Sequence, residues 1–269
     1  MLQFRWAART HVGRVRTNNE DSGFAGPYLI MVADGVGGSA AGEVASASVT
    51  YVVSASSMVA GGANPAQVLE GALATSFAHL QQGVLDDPSR SGMATTVTAV
   101  LTDGARFAIA HIGDSRGYLL RDHSLRRVTR DHTLVQMLVD EHRISPEEAR
   151  VHPNRSVVVK SLDASHRPEP DFDWMQVEPG DRLLLCSDGL SDLVPDDRIA
   201  QLLDVDDLDA ALSSLIDEAL AAGGRDNITC VAGDVVDADP VAGGGVLVGA
   251  VRDVGNLIDA AAVKSTQSV

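Results

Sequence analysis

At 269 residues, 45% of them hydrophobic, the chain is long enough to build one large domain or two small ones around a substantial core. A formal net charge of −16 excludes a nucleic-acid partner, because phosphate backbones require a basic face. The two cysteines, Cys186 and Cys230, each lie in an apolar strand-like run, which excludes a disulfide framework and reads as small buried hydrophobes in a reducing compartment.

The N-terminus has neither the basic region nor the apolar stretch of a secretory signal, and residues 2–10 alternate weakly as a strand. No apolar run reaches the ~18 residues of a membrane span. The expectation is a soluble, cytoplasmic monomer. Residues 13–21 form a polar loop with two arginines, Arg14 and Arg16, and two adjacent carboxylates, Glu20 and Asp21. Residues 28–33 read as a buried strand that runs into Asp34 and then Gly35-Val36-Gly37-Gly38. A carboxylate at a strand end beside a free carbonyl outlines a hard-oxygen metal site; it is equally an Asp-Gly turn between strand and helix. A nearly all-apolar helix is expected over 40–60, and Asn64-Pro65 opens a second that runs to about Leu85, its antiparallel neighbour.

From Thr95 the period becomes two. Residues 95–101 and 106–112 flank an Asp103-Gly104 hairpin turn, and 116–121 follows Gly113-Asp114-Ser115 as the third strand of an antiparallel meander. Residues 131–151 read as a charged surface flap, with Asp131-His132-Thr133 leading into one short helix and the Ser145-Pro146-Glu147-Glu148 capping box opening another. Strands are expected at 174–177 and 182–186 around a Pro179-Gly180-Asp181 turn, the second ending in Ser187-Asp188-Gly189. Helices follow at 196–203 and 208–221, and Gly223-Gly224 stops the latter. Asp226 then stands beside the apolar strand that begins at Ile228. The tail beyond Asp237, with Gly243-Gly244-Gly245, reads as a flexible linker and a short helix over 248–263.

Four aspartates therefore sit at strand ends next to glycine, serine or asparagine: Asp34, Asp114, Asp188 and Asp226, with Asp21 in the polar loop. Singly each is more often a turn residue than a ligand. Strand ends of one sheet system can converge on one cleft, and carboxylates so gathered repel unless cations neutralise them. An all-oxygen set without a nearby His or Cys pair points to Mg2+ or Mn2+ rather than zinc.

Six segments carry a family resemblance. Arg16-Thr17-Asn18-Asn19-Glu20-Asp21, Val32-Ala33-Asp34-Gly35-Val36-Gly37-Gly38, Gly92-Met93-Ala94-Thr95-Thr96, Ile112-Gly113-Asp114-Ser115-Arg116, Ser187-Asp188-Gly189-Leu190 and Asp226-Asn227-Ile228-Thr229 resemble, in order and spacing, the motif series of the metal-dependent protein phosphatases of type 2C in their compact bacterial form. The resemblance covers about residues 2–236. It implies an α+β fold, a four-layer αββα sandwich of two antiparallel sheets flanked by helix pairs. It also implies a catalytic domain at 1–237 with a flap at about 131–155, and a flexible extension at 238–269.

The implied activity is hydrolysis of phosphoserine and phosphothreonine in proteins by a water bridging two divalent cations. Two or three Mn2+ or Mg2+ ions are implied, and the implied partners are phosphoproteins, namely a serine/threonine kinase and its substrates. By resemblance Asp34 bridges two metals, Asp188 and Asp226 complete the first, and the Gly35 carbonyl binds the second. Asp21 matches a carboxylate acting through metal-bound water. Asp114, with Asp188, matches a third site, to which Asp192 is a weaker candidate, reading equally as a helix-start carboxylate. Arg16 matches a phosphate clamp, its planar fork suited to two phosphate oxygens.

One departure concerns the proton that the leaving alkoxide needs. Relatives often carry a histidine at the positions of Val36 or Ser39, and this chain has neither; a bound water or His152 is the expected substitute. Ala94 and Asp163 also depart from common glycines. A cysteine-based phosphatase needs arginine six residues after its nucleophile, where Cys186 and Cys230 have Asp192 and Val236. Asp204-Val205-Asp206 lacks the companions of an aspartyl nucleophile or a calcium loop. The remaining alternative is a regulatory binding module of low activity that retains the phosphatase fold.

Overall fold

The structure is a computed structural model and describes residues 1–36, 41–167, 169–242 and 244–258. The expectations placed on Gly37, Gly38, Ser39, Gly243 and the chain beyond residue 258 lie outside the described residues.

The first half of the chain runs β1 (Leu2–His11), β2 (Asp21–Ala25), β3 (Leu29–Val36), α1 (Gly42–Val59), α2 (Pro65–Asp86), β4 (Ala94–Thr95), β5 (Val97–Thr102), β6 (Phe107–Ile112), β7 (Arg116–Arg121) and β8 (Ser124–Arg127). The second half runs α3 (Leu134–Asp140), α4 (Pro146–Arg150), β9 (Leu162–Asp163), β10 (Asp171–Met175), β11 (Arg182–Cys186), α5 (Asp188–Ser191), α6 (Asp196–Leu203), α7 (Leu208–Ala221), β12 (Ile228–Asp237) and β13 (Val246–Gly249). One antiparallel sheet has the order β10-β6-β5-β3-β2-β13, with β4 and β9 attached beside β3, and the other has the order β1-β12-β11-β7-β8.

The strands read as continuous apolar runs because both of their faces are buried. On β3, Ile30 and Val32 join Val100, Phe107, Leu183, Leu185 and Val231 in the core between the sheets. The alternate residues Leu29, Met31 and Ala33 pack with Val49, Val53, Leu69 and Leu80 of α1 and α2. On the other sheet Leu184, Cys186, Cys230 and Ala232 pack beneath Ile199 of α6 and Leu212 and Leu215 of α7. Three apolar layers separate four layers of structure, the αββα sandwich. A fully buried leucine or isoleucine contributes roughly 1.5–3 kcal/mol, so the strands are held by packing on two sides at once.

Local signals set most boundaries. The Asn64 side chain accepts from the Ala66 N–H at 3.0 Å and opens α2 with Pro65 in its first turn. Ser145 and Glu148 close the reciprocal capping box of α4. The β5–β6 hairpin turns at Asp103-Gly104, with Thr102 opposite Phe107.

Four expectations are corrected. The strand β7 does not extend the β5–β6 hairpin as a meander; it pairs with β11 and β8, so Gly113-Asp114-Ser115 carries the chain from one sheet to the other. The strands at 171–175 and 182–186 likewise belong to different sheets, β10 pairing with β6 and β11 with β7 and β12. Asp21 is not in the polar loop but opens β2, whose five residues are all buried; the Ser-Gly content of that strand hid it from propensity. In the tail, where a linker and a helix are expected, Val246–Gly249 forms β13 against β2, followed by short 3-10 turns at Ala250–Arg252 and Val254–Asn256. Ile258 there joins the core beneath α1 and α2.

Candidate metal centre

Asp34 lies two residues inside the end of β3, directly opposite Asp21 on β2. Its backbone is clamped: the Asp34 N–H donates to Thr96 Oγ1 at 2.9 Å, and its carbonyl accepts from Thr95 Oγ1 at 2.9 Å and the Thr96 N–H at 2.8 Å. The next residue must be glycine, because a Cβ on Gly35 would lie 2.5 Å from the Gly42 carbonyl and 2.7 Å from that of Glu20. The start of α1 therefore crosses the strand at backbone contact, and the chain can do this only where no side chain intervenes.

Asp188 is the first residue of α5, and Asp114 lies in the turn from β6 to β7, between the sheets. Ser187 joins the sheets beneath them, its hydroxyl donating to Asp21 Oδ2 at 2.7 Å and accepting from the Thr229 N–H at 3.0 Å. Asp226 precedes β12 and pairs with Arg16, whose Nη2 lies 2.7 Å from Oδ2. Asn227 pins the loop that carries Arg16, donating to the Val12 and Asn18 carbonyls and accepting from the Glu20 N–H.

The electrostatics show that these side chains share one space. The carboxyl of Asp34 is pushed well above the usual range, first by burial and then by Asp21, Asp188, Asp114 and Asp226. Asp188 moves the same way through burial, Asp114, Asp192, Asp226 and Asp21. Burial raises Asp21 to about 6, against the lowering hydrogen bond from Ser187. Asp114 rises to about 7 through burial, Asp131 and Asp192. Asp21 Oδ1 is buried with no hydrogen-bond partner. Every site residue expected from the sequence is thus in this cluster or, for Arg16 and the Gly35 backbone, at its edge. Among the described residues no group of three or more His, Cys, Asp or Glu side chains closes on one ion position by itself.

An orphaned buried carboxylate oxygen and five mutually repelling aspartates, with Arg16 the cation set against Asp226, fit a hard divalent cation. The donor set is all oxygen, which suits Mg2+ or Mn2+.

A cleft of about 480 Å3 opens from Asp114, Asp188 and Asp192 toward the flap, whose Val139, Ala149 and Arg150 form its far wall. Asp192 is at the end of α5, not the start of a helix, and Arg155 approaches it at 3.9 Å. Among the described residues that line the cleft there is no histidine, and His152 lies between Arg150 and Arg155, which do line it. A larger open depression of about 860 Å3, beside Arg5 and Asp234, is not a competing site, because its charges are spent internally: Arg182 binds Asp234 and the Leu203 and Val205 carbonyls, and Arg5 binds the same Asp234. The cysteines are wholly buried opposite each other on β11 and β12, and burial pushes the Cys186 thiol up to about 12, which removes any nucleophile there.

Sequence reasoning treated Asp131 and His132 only as a lead into a helix. In the structure Asp131 forms a two-pronged pair with Arg116 (Nη2 to Oδ2 2.7 Å), and His132 accepts from the Gly113 N–H at 3.1 Å, so the root of the flap grips the Asp114 turn from both sides. Their only local signal was a charged pair ahead of a helix cap.

The family model described as protein phosphatase 2C matches residues 14–222. The serine/threonine protein phosphatase PstP of Mycobacterium tuberculosis is 46% identical over 238 residues, 88% of this chain and 46% of its own length. The chain thus spans less than half of the length of that relative. The serine/threonine phosphatase stp of Listeria monocytogenes is 34% identical over 231 residues, which cover 82% of this chain and 92% of the relative. Among solved structures, the catalytic domain of PstP in complex with two manganese ions superposes with a TM-score of 0.82 at 44% identity, covering 88% of this chain and 100% of that one.

Proposed function

This chain belongs to the protein phosphatase 2C family, and from that premise we propose that it hydrolyses phosphoserine and phosphothreonine in proteins with the help of two divalent cations. The observation that carries the reading is the cluster of Asp21, Asp34, Asp114, Asp188 and the partly exposed Asp226, whose mutual repulsion calls for bound cations. Asp34, Asp188, Asp226 and the Gly35 carbonyl would hold two Mn2+ or Mg2+ ions, Asp21 would act through water, and Asp114 with Asp188 would serve a third. Bound there, such ions supply the positive charge that activates a water and absorbs charge on the phosphoryl oxygens.

The rest is work for the chain's own groups. Arg16 is held at the rim by Asp226 through one Nη2, which leaves the other guanidinium donors free for phosphate oxygens. The flap wall limits access to the cleft and sets which phosphoproteins enter; the natural substrates are proteins phosphorylated in a serine/threonine kinase pathway. Among the described residues no helix is long and apolar enough to cross a membrane.

The reading is tested by hydrolysis of p-nitrophenyl phosphate and a phosphothreonine peptide with Mn2+, with Mg2+ and with chelator. Activity is expected only with metal; metal-independent turnover, or none in any condition, overturns the reading. In the same assay Arg16→Ala is expected to lower kcat/KM by roughly 10- to 100-fold, the equivalent of about 1.5–3 kcal/mol for charge-assisted hydrogen bonds, while Mn2+ still binds.

With no histidine lining the cleft, the leaving alkoxide takes its proton from water. Val36→His is therefore expected to raise kcat several-fold on the phosphothreonine peptide and to leave p-nitrophenyl phosphate unchanged, because nitrophenolate departs without protonation. An equal effect on both substrates would show that the new side chain is not acting as an acid.

A further inference from the structure

The C-terminal strap, residues 246–258, lies beyond the region matched by the family model. It is locked onto the face of the molecule behind the aspartate ring. In β13, Gly249 stands opposite Ser22, the residue after Asp21. Its φ is +80°, and a Cβ there would lie 2.1 Å from the Asp21 carbonyl. Farther on, the Ile258 N–H donates to Ser48 Oγ of α1 at 3.0 Å, and the Ile258 side chain packs at the place where Gly83 of α2 lacks a Cβ. Val248, Ala250 and Val251 are buried.

A directional chain of hydrogen bonds starts from this strap. The Val251 N–H donates to Ser22 Oγ at 3.1 Å. Ser46 Oγ, on α1, donates its one proton to the Glu20 carbonyl at 2.5 Å in preference to the Glu43 carbonyl at 3.3 Å. The 3.0 Å contact between the two serine hydroxyls must then run from Ser22 to Ser46. The Glu20 carbonyl belongs to the peptide that leads into Asp21, and it also accepts the Gly35 N–H at 3.2 Å from the peptide that joins Asp34 to Gly35. Both serines are fully buried, so water offers no substitute for a missing link.

We propose that Ser22 and Ser46 are positioning residues through which the C-terminal strap sets the backbone of Asp21, Asp34 and Gly35 for cation binding. The proposal rests on the two-cation reading above. The chain of donors has one direction and one terminus, and its terminus is the pair of peptides that carry the bridging and water-binding carboxylates. Removing Ser46 takes its hydroxyl donor from that carbonyl, whereas removing Ser22 leaves Ser46 donating and takes away only the hydroxyl that orients it, so a second cut adds nothing to the loss of Ser46.

The test is Mn2+ binding, read from the free-ion paramagnetic resonance signal in the full-length chain, for Ser22→Ala, Ser46→Ala and the double variant. Ser46→Ala is expected to weaken Mn2+ binding about tenfold, the lower end of the effect of groups that support metal ligands, Ser22→Ala is expected to weaken it by less, and the double variant is expected to match Ser46→Ala rather than multiply the two. A Ser46→Ala affinity within twofold of wild type, even with a lowered Tm, makes the strap a brace only and overturns the proposal. So does a double variant weakened about a hundredfold, which means two independent effects. Ser46→Ala keeps the test decisive if Ser22→Ala does not fold, since it cuts the chain without stranding the Val251 N–H. A wild-type chain that binds no Mn2+ overturns the two-cation reading itself, an outcome distinct from equal affinity in the variants.

Discussion

Replacing Asp34 with asparagine is expected to abolish activity and, in chelator, to raise the Tm. Asp34 is buried among four other carboxyls, and burial together with Asp21, Asp188, Asp114 and Asp226 holds its carboxyl well above the usual range. Folding therefore either forces a proton onto this group or traps a charge at a cost, and asparagine, of the same shape but neutral, removes both penalties. The backbone clamp by Thr95 and Thr96 does not involve the side chain and stays in place. As the ligand proposed to bridge both cations, Asp34 is also the residue whose loss costs most: changes in groups that merely support ligands cost 10- to 100-fold, so a loss of at least about 100-fold in kcat/KM is expected. Thermal melts in chelator and turnover with excess Mn2+ check the two halves. A destabilised Asp34→Asn chain would show that the aspartate ring is not under electrostatic strain.

The second large effect is a reversal of the pH dependence of stability by metal. A carboxyl whose folded pKa lies above its unfolded value holds more protons in the folded chain, so its contribution is favourable at low pH and is lost as pH rises through the folded pKa. Asp21 at about 6, Asp114 at about 7, and Asp34 and Asp188 well above the ordinary range all act in this sense. His111 opposes them at lower pH, as do the carboxyls of Asp87, Asp103 and Glu218, which lie below the usual range. His111 is buried beside His132, with its Nε2 donating to the Arg130 carbonyl, and burial lowers its pKa to about 4. It stays neutral in the folded chain, so it destabilises the fold as pH falls from 6.5 toward 4. Between pH 6.5 and roughly pH 8 the aspartates act almost alone. In chelator the Tm is expected to fall across that window; with excess Mn2+ it is expected to rise, because cation binding requires the ionised carboxylates and releases their protons. A Tm that rises with pH in chelator would contradict the clustering of raised carboxyl pKa values.

The candidate site was legible in part for a simple reason. Asp34, Asp114, Asp188 and Asp226 each follow a strand-like run or stand beside one, and both features are local. Asp21 was misplaced because the strand it opens, Asp-Ser-Gly-Phe-Ala, owes its burial to β13 and α1, from distant parts of the chain. Asp131 and His132 were overlooked as part of the site because their partners, Arg116 and Gly113, meet them only once the flap root folds back on the turn. The serines of α1 gave no warning at all: in sequence they belong to an apolar, small-residue helix, and only the strap that covers it shows what their hydroxyls connect.

The periods and their punctuation are local: the helices at 196–203 and 208–221, the capped starts at Asn64 and Ser145, the Asp103-Gly104 hairpin, and the acidic residues standing at strand ends. Each depends on neighbours within a turn or two of the chain, which is the range over which backbone conformation and hydrogen-bond capping act. Tertiary structure alone decided which sheet each strand joined, as with β7 and β10, since a strand's edges accept any partner of matching pattern and the choice follows from packing the two sheets face to face. It also turned separate aspartates into one electrostatic unit and bound the C-terminal strap to the strand that carries Asp21, because burial and charge interaction are properties of the assembled interior and have no counterpart in the extended chain.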